Sequence, residues 1–85
     1  MPEICRFLGI VIAMFHKEHG PPHFHAYYGE FDITVGIEDG IVTGKFPRRA
    51  LALVLEWYLA HQDELRENWQ LARTRQPTRR IPPLE

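Results

Sequence analysis

Cysteine, long apolar runs and surplus charge are all scarce in this sequence. Cys5 is the single cysteine, so an internal disulfide is excluded. The apolar run over residues 7–15 is too short to span a membrane, and a basic leader is missing at the start. We therefore expect a cytoplasmic protein with no membrane partner. The net charge of −1 argues against binding nucleic acid through bulk positive charge.

What the sequence does contain is a dense group of histidines. Four of the five histidines fall within residues 16–25, at His16, His19, His23 and His25. Near neutral pH an imidazole can carry a proton, bind a metal ion or hold a phosphate. This group predicts a functional site, although it does not by itself specify a reaction.

The first half of the chain has the patterns of β-strands. Residues 4–16 are apolar on both faces, which predicts one long buried strand. Residues 23–28 form a second predicted strand after a Gly-Pro-Pro break, and residues 31–38 alternate apolar and polar side chains as a half-buried strand does. Asp39-Gly40 predicts a two-residue hairpin turn into a fourth strand over 41–45.

The second half predicts two helices. Pro47 suits a first helical turn, and an apolar stripe at helical spacing follows it, formed by Leu51, Val54, Leu55 and Tyr58. A second helix is predicted over 63–73.

The expected fold is α+β, with a four-stranded antiparallel sheet followed by two helices packed on one face. Residues 1–76 form the predicted domain, and residues 77–85 form an extended tail that contains proline and arginine. A chain of 85 residues buries only a modest core, so a homo-oligomer is one expectation.

Several segments of the chain resemble a bacterial family called domain of unknown function 4160. They are Ile4-Cys-Arg-Phe-Leu-Gly-Ile-Val-Ile, Pro21-Pro-His-Phe-His-Ala-Tyr-Tyr-Gly29, Gly40-Ile-Val-Thr-Gly-Lys-Phe-Pro-Arg-Arg-Ala50, Asn68-Trp-Gln-Leu-Ala72 and Ile81-Pro-Pro-Leu84. The resemblance implies a small cytoplasmic bacterial protein. It also implies a partner, because such proteins often stand beside another small protein in what look like toxin–antitoxin-type gene pairs. It implies no catalytic residue.

Hairpin geometry predicts which side chains share a face of the sheet. With Gly29-Glu30 as a two-residue turn, the apolar residues of both strands fall on one face, and that face is expected to pack beneath the first helix. With Asp39-Gly40 as the next turn, Lys45 should lie beside Thr34 and Thr43 beside Gly36. The other face then carries His23, His25, Tyr27, Asp32, Thr34, Thr43 and Lys45.

Three interpretations of this polar face remain open. The first is that it is an ordinary solvated sheet surface. The second is metal-independent ribonuclease chemistry, in which one group takes the 2′-hydroxyl proton, another protonates the leaving oxygen and a cation stabilises the phosphate. The candidate catalytic residues for that chemistry are His23, His25, Tyr27, Asp32 and Lys45, with Lys45, Arg48 and Arg49 as phosphate-binding candidates at the start of the first helix.

The third interpretation is a metal site. His23 and His25 are two residues apart on a strand, so both imidazoles project from the same face and could share one ion. Zinc or another divalent metal needs a third or fourth ligand, which His16, His19 or Asp32 could supply.

Three functions therefore compete, and the third is a purely structural domain that forms oligomers. The leading hypothesis is a component of a toxin–antitoxin-type module, on the toxin side, that acts on RNA without a cofactor. The alternative is a histidine-rich module without catalysis that binds a metal or a protein.

Overall fold

In a computed structural model of the protein, which describes residues 3–16 and 18–84, one antiparallel sheet is followed by two helices. The strands are neighbours in the same order in space as in sequence. The elements are β1 (Glu3–Phe7), β2 (Ile10–Ala13), β3 (His23–Tyr28), β4 (Phe31–Gly36), β5 (Val42–Lys45), α1 (Arg48–Ala60) and α2 (Gln62–Arg73). The predicted α+β class is confirmed. Neither helix in the described residues is long and apolar enough to cross a membrane.

Over residues 3–16 and 18–84 the sheet has five strands, one more than the four predicted. The predicted long strand over 4–16 is a hairpin, in which β1 pairs with β2 through Phe7 and Ile10. Leu8 and Gly9 form its turn, with φ values of 49° and 82°. Positive φ at both central positions matches the right-handed twist of the strands. Apolar residues flank Gly9 on both sides, so hydrophobicity alone gave no sign of the break.

The β3–β4 register agrees with the prediction. His23 lies opposite Gly36, His25 opposite Thr34, and Tyr27 opposite Asp32. The two histidines and Tyr27 therefore project from the same face of β3.

The predicted register of β4 with β5 was wrong by two residues. Lys45 lies opposite Asp32 and Thr43 opposite Thr34, because the connection is longer than the expected Asp39-Gly40 turn. The N–H of Gly36 donates to the carbonyl of Ile41 at 2.9 Å, which makes residues 37–40 the loop. A shift of two residues leaves every side chain on its original face, so Thr43 and Lys45 remain on the polar face.

Helix α1 packs against the apolar face of the sheet. Trp57 is fully buried and its ring centroid lies 5.7 Å from that of Phe24. The hydroxyl of Tyr58 donates to the carbonyl of Ile37 at 2.7 Å. Ile33, Val35 and Val54 are buried as expected, whereas Leu51 and Leu55 are only partly buried.

Helix α1 does not cover the whole apolar face of the sheet. Tyr28 is 38% exposed and Phe31 is 47% exposed, so the prediction that both would be core residues was wrong. They flank the Gly29-Glu30 turn, where the hairpin ends. Tyr28 contacts Phe46 instead, with 6.1 Å between the ring centroids.

The C-terminal segment is extended and packed. The Asn68 side chain on α2 donates to the carbonyl of Arg79 and accepts from its N–H, both at 2.8 Å. The N–H of Ile81 donates to the carbonyl of Ile4 at 2.9 Å, so the segment lies beside β1. Buried Ile81 thereby adds to the core. Glu85, at the end of the predicted tail, lies outside the described residues.

Candidate functional site

Two histidines on β3 form the centre of the candidate site. His23 and His25 alternate with the buried residues Phe24 and Ala26, because successive side chains of a strand point to opposite faces. Their ring centroids lie 5.3 Å apart. Both side chains are partly exposed, at 18% for His23 and 23% for His25. They are therefore held in position and still open to a ligand.

The loop between β2 and β3 adds a carboxylate that the sequence reasoning missed. Glu18 Oε1 lies 2.5 Å from His25 Nε2 and 3.4 Å from His23 Nε2. Gly20, with a φ of 92°, allows the loop to turn back towards β3. No periodic pattern marks Glu18. The one available signal was its position as an acid inside the histidine stretch.

The backbone fixes the orientation of His23. Its Nδ1 lies 2.9 Å from the carbonyl oxygen of Pro21. A carbonyl can only accept a hydrogen bond, so Nδ1 carries the proton and Nε2 faces Glu18. Hydrogen bonds of this kind fix the tautomer of metal-binding histidines.

Aromatic rings surround the two imidazoles. The rings of Phe15 and His25 lie nearly perpendicular, at 86°, with 4.8 Å between their centroids, and Tyr27 stacks parallel to His25 at 6.3 Å. Trp69 of α2 lies 5.3 Å from the ring of His23. These contacts restrict the rotamers of both histidines and place the polar atoms in a partly apolar environment.

The environment perturbs two ionisable groups at the site. Partial burial acts to raise the pKa of Glu18, but its hydrogen bonds and charge interactions with His25 and His23 outweigh this effect and lower the pKa. Glu18 is therefore a carboxylate at neutral pH. Burial raises the pKa of Tyr27, and the charges of Asp32 and Glu18 raise it further. Tyr27 therefore remains a protonated donor.

The geometry brings together three groups that could hold a metal ion. One oxygen of Glu18 and one ring nitrogen each of His23 and His25 lie within 4.8 Å of one another. We call these three residues the triad. Two histidines and a glutamate are a ligand set found at catalytic zinc sites, where the fourth position is taken by water or substrate.

The other proposed metal ligands lie outside the triad. His16 and His19 are exposed loop residues, and Asp32 is exposed opposite Tyr27 on the neighbouring strand. Among the described residues, the group able to hold a metal is Glu18, His23 and His25.

The cationic candidates are also separate from the triad. Lys45 lies on β5, two strands from β3, in the row of Asp32 and Tyr27 rather than in that of His25. Arg48 and Arg49 are exposed at the start of α1. The polar face is thus shared by His25, Tyr27, Asp32 and Lys45, but the histidines and the cations are not in contact.

A shallow groove of about 240 Å³ lies next to His23. Its walls include Pro22 and the hydroxyl-bearing Thr34 and Thr43 from β4 and β5. A ligand in this groove would therefore contact one imidazole of the triad, the hydroxyl groups of the sheet and the Asp39 side chain.

The family comparison covers most of this architecture. A family model for a domain of unknown function (DUF4160) matches residues 9–70, which is more than half of the chain. The chain belongs to this family. The DUF4160 segment includes β3, β4, β5 and α1, together with the loop that carries Glu18. The comparisons with curated proteins and with solved structures each found no match.

Proposed function

We propose that this DUF4160 protein binds one divalent transition-metal ion, with zinc preferred, through Glu18, His23 and His25. The observation that carries the proposal is the convergence of three ligand atoms within 4.8 Å. The hydrogen bond from His23 Nδ1 to Pro21 supports it, because that bond directs the free lone pair of Nε2 towards the same point.

The chemistry of the ligands favours zinc over magnesium or calcium. Imidazole nitrogen suits zinc and other transition metals, whereas magnesium and calcium prefer sets made of oxygen ligands. Three protein ligands leave a coordination position for water, and zinc lowers the pKa of such a water to about 7. The aromatic rings around the site would limit competing solvent.

Zinc titration of the chelator-treated protein tests this proposal. Isothermal calorimetry should give about one ion per chain, and His25→Gln or Glu18→Gln should weaken binding at least about tenfold. His61→Gln is the matched control, because His61 Nδ1 also lies 2.5 Å from a glutamate oxygen, that of Glu64, but outside the triad. Undetectable zinc binding, or equal loss in the His61 control, would refute the site.

A second candidate is a toxin-side component of a toxin–antitoxin-type module that cleaves RNA without a metal. The pairing of His25 Nε2 with Glu18 supports it, because a carboxylate can orient a histidine that acts as a general base. Tyr27 is a protonated donor beside this pair, and Lys45 is a cation on the same face. The family resemblance further implies a small protein partner from a neighbouring gene.

Chelation separates the two candidates. RNA cleavage that continues in excess chelator, and that His25→Ala abolishes without unfolding the protein, would favour the second candidate. Growth inhibition on expression, relieved by the neighbouring gene, would support the toxin role. If neither is observed, the second candidate fails, and the zinc titration is unaffected by that result.

A further inference from the structure

A second groove has Glu18 in its wall. It has a volume of about 390 Å³ and is lined by Glu18, His19, Arg73 and Arg75. Arg73 is the last residue of α2 and Arg75 follows two positions later, while His19 lies in the loop before β3. Both arginines are exposed, and within residues 3–16 and 18–84 neither forms an ion pair. Two arginines thus line one groove, and in that part of the chain neither has a carboxylate within 4.0 Å of its guanidinium group.

Arg75 has a backbone conformation that normally favours glycine. Its φ is 59°, and α2 ends in a Schellman motif, in which the N–H of Gln76 donates to Leu71 at 2.8 Å and that of Arg75 donates to Ala72 at 3.2 Å. Glycine is preferred at the left-handed position of this motif because it has no Cβ. An arginine there is strained, and strained residues of this kind cluster at ligand sites.

We propose that Arg73, Arg75 and His19 bind the phosphate group of a small phosphorylated molecule beside the triad. A guanidinium presents a planar fork of donors that matches two phosphate oxygens, and His19, which also lines the groove, adds an imidazole. The groove is in the size range of small-molecule sites and exceeds the needs of a bare ion. The net charge of −1 disfavours a long polyanion such as RNA.

Glu18 gives this site a connection to the metal. It is the acidic side chain in the wall of the groove, and its carboxylate repels a phosphate. A divalent ion on the triad would reverse the sign of that local charge. If the proposed metal site is correct, zinc and phosphate should therefore each strengthen the binding of the other.

The first experiment measures phenyl phosphate binding to the metal-free protein by calorimetry at low salt. The double substitution Arg73→Gln/Arg75→Gln should weaken binding at least about tenfold, because charge-assisted hydrogen bonds are lost. The double substitution Arg6→Gln/Arg66→Gln removes the same charge from exposed positions outside the groove and should change binding less than about twofold. Equal effects of the two double variants, or no binding to the wild type, would overturn the proposal.

A second variant guards against loss of folding. Arg75→Gly relieves the strained position, so it should remain folded by circular dichroism while phenyl phosphate binding still weakens. Unchanged binding in this variant would remove Arg75 from the site and refute the argument from strain.

Two further arms identify the ligand and separate the proposals. Inorganic phosphate should bind through the same arginines. An oligouridylate is tested in the same way. If it binds far more tightly than phenyl phosphate, with a steep dependence on salt, the ligand of the groove is RNA and the proposal of a small phosphorylated molecule is wrong. Zinc binding by the Arg73/Arg75 double variant should be no weaker than that of the wild type, because neither arginine belongs to the triad. If the wild type binds no zinc, the metal site is refuted but the phosphate site is not, because phosphate binding is measured on the metal-free protein.

Discussion

Replacing Asn68 with alanine tests how the C-terminal segment is held. Asn68 is 1% exposed, and its amide makes two hydrogen bonds of 2.8 Å to the backbone of Arg79. Each buried hydrogen bond contributes about 0.5–1.5 kcal/mol, so Asn68→Ala should lower the free energy of unfolding by about 1–3 kcal/mol.

Urea denaturation followed by tryptophan fluorescence measures this change. Trp57 and Trp69 are both buried and report on unfolding. In a separate thermal denaturation, the melting temperature should fall by about 4–8 °C for each kcal/mol of unfolding free energy lost. Gln70→Ala on the exposed side of the same helix is the control and should change stability by less than about 0.5 kcal/mol. If Asn68→Ala has no larger effect than this control, the segment is not held by Asn68.

Three other substitutions address the core, the end of α2 and acid stability. Ile33→Ala should cost about 2–5 kcal/mol in urea denaturation, because Ile33 is 3% exposed on the apolar face. Arg75→Gly should raise stability by about 1 kcal/mol by removing the strain at its positive φ, and a loss of stability in the same assay would contradict this. Hydrogen bonds from Arg6 and Arg80 lower the pKa of Glu3 to about 2 from 4.5, so the stability it contributes is present above pH 4.5 and is lost as the pH falls towards 2. Denaturation midpoints of the wild type and of Glu3→Gln should therefore differ at pH 6 and converge near pH 2.

Much of the sheet and of α1 could be predicted from the sequence. The alternation in β4 and the Gly29-Glu30 turn determined the β3–β4 register, because a one-residue slip would expose the apolar set. The β4–β5 register could not be predicted in the same way. The four-residue loop over 37–40 and the expected two-residue turn give β4–β5 registers that differ by two residues. Both registers leave each side chain on the same face of the sheet, so the hydrophobic pattern does not distinguish them.

The candidate site could be predicted only in part. The period of a strand placed His23 and His25 on one face, as the structure confirms. Glu18 could not be predicted, because the position of a loop side chain depends on backbone conformation that leaves no periodic pattern in the sequence. The docking of residues 79–81 was missed for a similar reason. It depends on the buried amide of Asn68, on one backbone hydrogen bond from Ile81 to β1 and on side-chain contacts such as that of Trp57 with the Pro82 carbonyl.

Anomalous diffraction at the zinc edge from crystals of the zinc-soaked protein tests the central claim most directly. The account predicts one strong peak with a Glu18 oxygen and the Nε2 atoms of His23 and His25 at about 2.0–2.2 Å. A peak held by His16 or His19 without Glu18, or no peak at the triad at saturating zinc, would contradict the account.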